Sequence, residues 1–132
     1  MIICGIEIKA KQAILVVLKD KDFCEIKVKK IDLENDEEQL SIREFCNDFL
    51  VFLKENQIEK IFIKKRAKKG TFSGGAVTFK IEALIQLNPQ TSVELVSSQK
   101  INSFEKKNEI LFPKELKKYQ EQAYLTALCS DI

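Results

Sequence analysis

The chain of 132 residues contains no histidine. That absence removes the commonest general base and the commonest zinc ligand together. Serine–histidine and cysteine–histidine catalysis are excluded, because nothing is present to take the nucleophile's proton. Four cysteines (Cys4, Cys24, Cys46 and Cys129) are scattered without a C-x-x-C spacing, which argues against a zinc site. Three of them sit among apolar neighbours and read as small hydrophobes. No apolar run approaches the roughly 18 residues that a membrane span needs. The opening MIICGIEIKA has neither the basic n-region nor the small-residue cleavage site of a signal peptide. The expectation is a cytoplasmic protein with no membrane partner.

What is present is a globular balance, with 45% apolar and 32% charged residues, enough to bury one core. Ile2 to Ile8 alternates with the period of a strand, placing Cys4, Ile6 and Ile8 on one face and Glu7 on the other. Ala13 to Leu18 is a nearly continuous apolar run, consistent with a strand covered on both faces. After a Lys-Asp-Lys-Asp turn, Phe23 to Leu33 alternates again, with Ile26 and Val28 expected inward and Lys27 and Lys29 outward. Such a charged face suits a sheet edge.

An acidic loop then leads into an amphipathic helix carrying Ile42, Phe45, Cys46, Phe49, Leu50 and Leu53 and ending near Asn56. Ile61-Phe62-Ile63 reads as a short buried strand. Val77, Ile81, Leu84 and Ile85 mark a second helix, stopped by Asn88-Pro89. Val93 to Val96 is another strand, and Ser97 or Ser98 can cap a helix starting after it. A last helix is expected after Pro113, carrying Leu116, Tyr119, Ala123, Ala127 and Leu128. This order predicts an α/β fold: a mixed five-stranded sheet, made of an antiparallel three-strand meander and two parallel strands, flanked by helices. With no internal repeat and no linker, residues 1–132 are expected to form one domain.

Charge is unevenly distributed. Lys60 to Lys80 holds seven basic residues and no acid, so a chain of net +2 carries −5 elsewhere. A mildly acidic body with one basic patch is an electrostatic footprint for a polyanion, although a solubilising lysine-rich loop would look the same. The centre of the patch reads Lys64-Lys65-Arg66-Ala67-Lys68-Lys69-Gly70-Thr71-Phe72-Ser73-Gly74-Gly75. It follows a strand and opens a helix, the place where ligands bind in open α/β sheets. Three of the four glycines fall inside it, which suggests close backbone approach there and almost nowhere else. Thr71 or Ser73 can cap the helix, and the free amides at Gly74-Gly75 favour a phosphate. Phe72 could stack on a base or anchor the loop to the core. Neither a P-loop nor a G-x-G-x-x-G is present. The second candidate group is acidic: Glu7 in the first strand and Glu121 on the last helix. A salt bridge from Glu7 to Lys64 or Lys9 is the plainest reading of the first, and an exposed helical face of the second.

The opening Ile-Cys-Gly-Ile-Glu, the meander and the later α/β alternation resemble the RNase H-like fold, in its branch of RuvC-type junction resolvases. Ile63 to Gly70, Gly74-Gly75-Ala76-Val77, Glu82 to Leu87 and Lys117 to Glu121 resemble more closely an uncharacterised bacterial family, domain of unknown function 3010. The resolvase resemblance implies four carboxylates holding two divalent metals: one on the first strand, one ending the fourth, two on the last helix. By position Glu7 matches the first and Glu121 one of the helical pair, whereas Lys64 and Tyr124 stand at the other two. A lysine there repels metal and neutralises Glu7, so efficient two-metal cleavage is not expected.

The function expected is therefore a catalytically degenerate domain that binds nucleic acid or phosphate through Lys64, Lys65, Arg66, Lys68, Lys69, Phe72, Ser73, Gly74 and Gly75. Two alternatives stay open. One is a divergent nuclease using Glu7 and Glu121 with Mg2+ or Mn2+, since Mg2+ can be held by one or two carboxylates plus substrate phosphates. The other is a protein-interaction or nucleotide-binding module. A homodimer is compatible with each.

Overall fold

The computed structural model describes residues 1–68 and 75–131. The two leading apolar segments form β1 (Ile2–Lys9) and β2 (Gln12–Lys19), joined by a turn in which Ala10 takes a φ of 54°. They pair antiparallel from Ile2 opposite Lys19 to Lys9 opposite Gln12. The third expected strand is divided. Its ends form β3 (Asp22–Cys24) and β4 (Lys30–Asp32), both paired with β2. Cys24 lies opposite Val17 and Lys30 opposite Ile14, so five residues on one side face two on the other. The surplus must loop out. Ile26 stays buried at 6% exposure, but Val28, expected inward, is 45% exposed. Among the described residues the sheet accordingly has six strands rather than five.

Helix α1 (Gln39–Glu55) follows, and its apolar stripe buries Phe45, Phe49 and Phe52 in a stacked row with centroids 6.4 and 6.2 Å apart. Each such ring contributes about 1.5–3 kcal/mol when fully removed from water. Then come β5 (Lys60–Lys64), α2 (Ala76–Gln86), β6 (Ser92–Val96), α3 (Ser98–Lys107) and α4 (Glu121–Ser130). The sheet order is β3-β2-β1-β5-β6, with β4 also on β2, and β1, β5 and β6 are parallel.

The sheet separates two apolar clusters. Cys4, Ile6 and Ile8 of β1 pack with the phenylalanines of α1 and with Ile81 and Ile85 of α2. Ile3, Phe62 and Val96 pack on the opposite face with Ile101 of α3 and with Ala123 and Ala127 of α4. The last helix starts later than expected, at Glu121, after a 3-10 turn at Lys118–Gln120. The cause is a buried amide. Gln120 accepts from the Lys117 N–H at 2.9 Å and donates to the Leu15 carbonyl at 2.9 Å, pinning the chain to β2 before the helix begins. Leu116 and Tyr119 therefore precede α4, and Tyr119 is 41% exposed beneath the Lys30 ammonium.

Among the described residues, no helix is long and apolar enough to cross a membrane.

Candidate nucleic-acid interface

The carboxyl end of β5 delivers Lys64 to the face covered by α4. Side chains alternate along a strand, so Lys64 shares the face of Phe62, and Glu7 that of Ile3. The parallel ladder runs to Ile6 opposite Ile63, so Glu7 and Lys64 are the next residues on neighbouring strands. The placement of Glu7 opposite Cys4, Ile6 and Ile8 is as the alternation predicts.

No ion pair joins them. Lys64 donates instead to Gln122 Oε1 at 2.9 Å, tying β5 to the first turn of α4. Among the described residues Glu7 has no salt bridge to Lys64 or to Lys9. Gln122 was not legible in the sequence. Its only signal was its place beside Glu121, because a polar residue in the first turn of a helix is ordinary.

Helix α4 can lie this close because of Gly5. A Cβ there would meet the Ala123 carbonyl oxygen, with the Ala127 Cβ at 2.6 Å and the Ala127 nitrogen at 2.9 Å. Close approach is thus required at the one glycine outside the basic segment, and of the three inside it only Gly75 is among the described residues. A Cβ added at Gly75 would have nothing within 4 Å, and the φ of −71° there suits any residue. Gly75 is the N-cap of α2, with no side-chain cap. The expected caps Thr71 and Ser73, with Lys69, Gly70, Phe72 and Gly74, lie outside the described residues.

The basic patch also divides. Lys60 sits at the other end of β5, about 13 Å away at strand rise, where it pairs with Glu94 at 3.7 Å and lies over the Phe62 ring. Lys80 donates to the Asp36 carbonyl and lies 3.8 Å from its carboxylate. Lys65, Arg66 and Lys68 remain, with no ion pair among the described residues. They line a groove of about 430 Å³ whose other wall is Ser97, Ser98 and Gln99. The Lys65 N–H donates to the Val96 carbonyl at 2.8 Å, and Ser97 Oγ accepts from the Lys100 N–H at 3.1 Å as the N-cap of α3. The basic loop is thereby held against the positive end of a helix dipole.

Two polar atoms near this groove are buried without a partner among the described residues, Arg66 Nε and Glu82 Oε2. Burial raises the Glu82 carboxyl above its ordinary range, while Lys68 and Lys65 oppose that rise.

The donor set does not fit a pair of divalent ions. A lysine and an amide occupy the centre, and the described residues contain no group of three or more acidic or thiol side chains able to hold a metal. Tyr124, at the position of the second helical carboxylate, is buried between Phe23 and Phe112, with ring centroids at 6.3 and 5.8 Å. Glu121 is half-buried at the start of α4. Burial pushes the Cys4 thiol far up, which leaves it inert.

Residues 1–130 match the model of the family described as "Protein of unknown function (DUF3010)", and the chain belongs to that family. No curated protein matches it significantly in sequence. A structure of Thermus thermophilus RuvC has a similar fold, with a TM-score of 0.70 at 10% identity over 98% of this chain and 92% of that one. T. thermophilus RuvC in complex with Holliday junction substrate gives 0.65 at 12% identity, over 98% and 91%. The fold is RNase H-like.

Proposed function

We propose that this member of the DUF3010 family is a single RNase H-like domain that binds nucleic acid and has lost two-metal cleavage. The observation that carries this reading is the groove in which Lys65, Arg66 and Lys68, free of ion pairs among the described residues, face the capped start of α3. Cations positioned at a helix N-terminus suit a phosphate backbone. Lys64 adds charge at the same strand end, and Gly75 is the N-cap of α2, the next helix in the chain. Lys69, Phe72, Ser73 and Gly74 enter the proposal from sequence alone. The RuvC relative in complex with a Holliday junction gives the same fold a nucleic-acid precedent. The lysine–glutamine pair at the centre supports binding without cutting.

A salt titration across single-stranded DNA, duplex, four-way junction and RNA tests it. Each phosphate neutralised on duplex DNA should add about −0.9 to the log–log slope. Replacing Lys65, Arg66 and Lys68 together by glutamate should abolish binding. Affinity that is flat between about 50 and 200 mM salt would overturn the proposal.

A further inference from the structure

A groove larger than the basic one lies elsewhere. It encloses about 970 Å³ between α1 and the β3–β4 region. Its apolar floor includes Ile31, Phe45 and Phe52, which are buried, while Val28 and Val51 are each 45% exposed on its walls. Its rim carries Glu25, Asp32, Glu34, Glu44, Asp48 and Glu55 against only Lys27 and Lys30. One of the six carboxylates, Glu34, is paired outward with Lys11 at 3.3 Å.

The groove also contains a free sheet edge. The Leu15 N–H donates to the Lys29 carbonyl and the Leu33 N–H to the Lys11 carbonyl. Antiparallel alternation then turns Ile31 toward β2 and the backbone groups of Lys30 and Asp32 outward. No strand pairs with that outer edge among the described residues. An unpaired edge is a template for an added strand. Lys30 and Asp32 both line the groove, so a chain lying in it would run along that edge.

From the edge, the apolar floor and the charge of the rim together, we infer that this groove takes an extended basic segment of a partner protein, added as a strand beside β4. Alternation fixes the pattern of that segment. Apolar side chains at every second position would face the floor, and lysines or arginines between them would meet the carboxylates. A nucleic acid is repelled by the same rim, so this surface is independent of the basic groove at the end of β5.

The test uses the full chain and a fluorescein-labelled peptide of alternating lysine and valine, read by anisotropy. The expected result is saturable binding that weakens with salt. The variant E44K/D48K, both sites being exposed, should bind on the order of tenfold or more weakly with an unchanged melting curve. Two peptides N-methylated at alternate residues, one in each register, keep the charge; the one whose N-methyl groups face β4 should lose binding, because the ladder cannot form, and the other should keep it. Equal binding of the N-methylated peptides, or of E44K/D48K, overturns the inference. So does salt-sensitive self-association of the unliganded chain that E44K/D48K abolishes, since the occupant would then be a second copy.

Discussion

Two grooves of opposite charge among the described residues are built differently. The basic one forms where parallel strands end and helices begin. There the cations at the strand end are on a segment fixed by its neighbours: Lys65 by the Val96 carbonyl, Lys64 by Gln122. The acidic one forms at the antiparallel edge, where the surplus residues between β3 and β4 leave a strand half paired. The first opens at a strand end that α4, in close approach to the sheet at Gly5, holds through the Lys64–Gln122 hydrogen bond. The second depends on α1 and a loop, and owes nothing to that approach. A chain can thus carry two polyelectrolyte surfaces without mutual cancellation, provided different parts of the fold position them.

The sharpest way to break this contrast is Gly5→Ala. The added methyl meets the backbone of α4 rather than a flexible side chain, so the expected loss is about 2–3 kcal/mol, lowering the melting temperature by roughly 10 °C. Gly75→Ala should stay within about 0.5 kcal/mol, since its added methyl points into open space. Thermal melts of the two variants side by side check both. Equal melting temperatures would remove the close approach of α4 from the account.

A smaller effect is expected at the pin between β5 and α4. Lys64→Met keeps the aliphatic stem and deletes the ammonium, at a cost of about 1 kcal/mol. Gln122→Leu should cost a similar amount, and the double variant less than the sum, because one bond is lost in all three. Urea unfolding of the four proteins measures the coupling, and strict additivity would mean that the bond contributes nothing.

The smallest effect concerns Glu82. Burial raises its carboxyl above the unfolded range, so ionising it works against the fold. Below about pH 4 the group is protonated in both states and the cost is absent; it is incurred as pH rises through the unfolded value to the folded one. Glu82→Gln should therefore stabilise by up to about 0.5 kcal/mol at neutral pH and not at all in acid. By removing a negative charge near Lys65 and Lys68 it should also tighten duplex binding slightly. Denaturant midpoints at two pH values decide the first part, and a destabilised variant at neutral pH would reverse the sign assigned to this carboxyl.

Much of the fold was legible because it rests on short-range periodicity. The alternation around Glu7, the stripe on α1 and the stop at Asn88-Pro89 each follow from neighbours within a few residues. The misreadings share one cause. Val28 continues an alternation that the pairing of β2 cannot accommodate. Leu116 and Tyr119 have helical spacing, but the Gln120 amide is committed to a carbonyl 105 residues away. Gln122 and Ser97 belong to the neighbourhood of Lys64 and Lys65 only because the sheet order places β1, β5 and β6 side by side.

The missing histidine, the basic run after a buried strand and the lysine at position 64 were decided by the sequence alone, since composition and covalent order do not depend on folding. That Gly5 has no room for a side chain, which cations stay unpaired among the described residues and where an acidic groove opens were decided only by tertiary structure. Those properties are distances between segments far apart in the chain, and the packing of α4 and α1 against opposite faces of one sheet sets them.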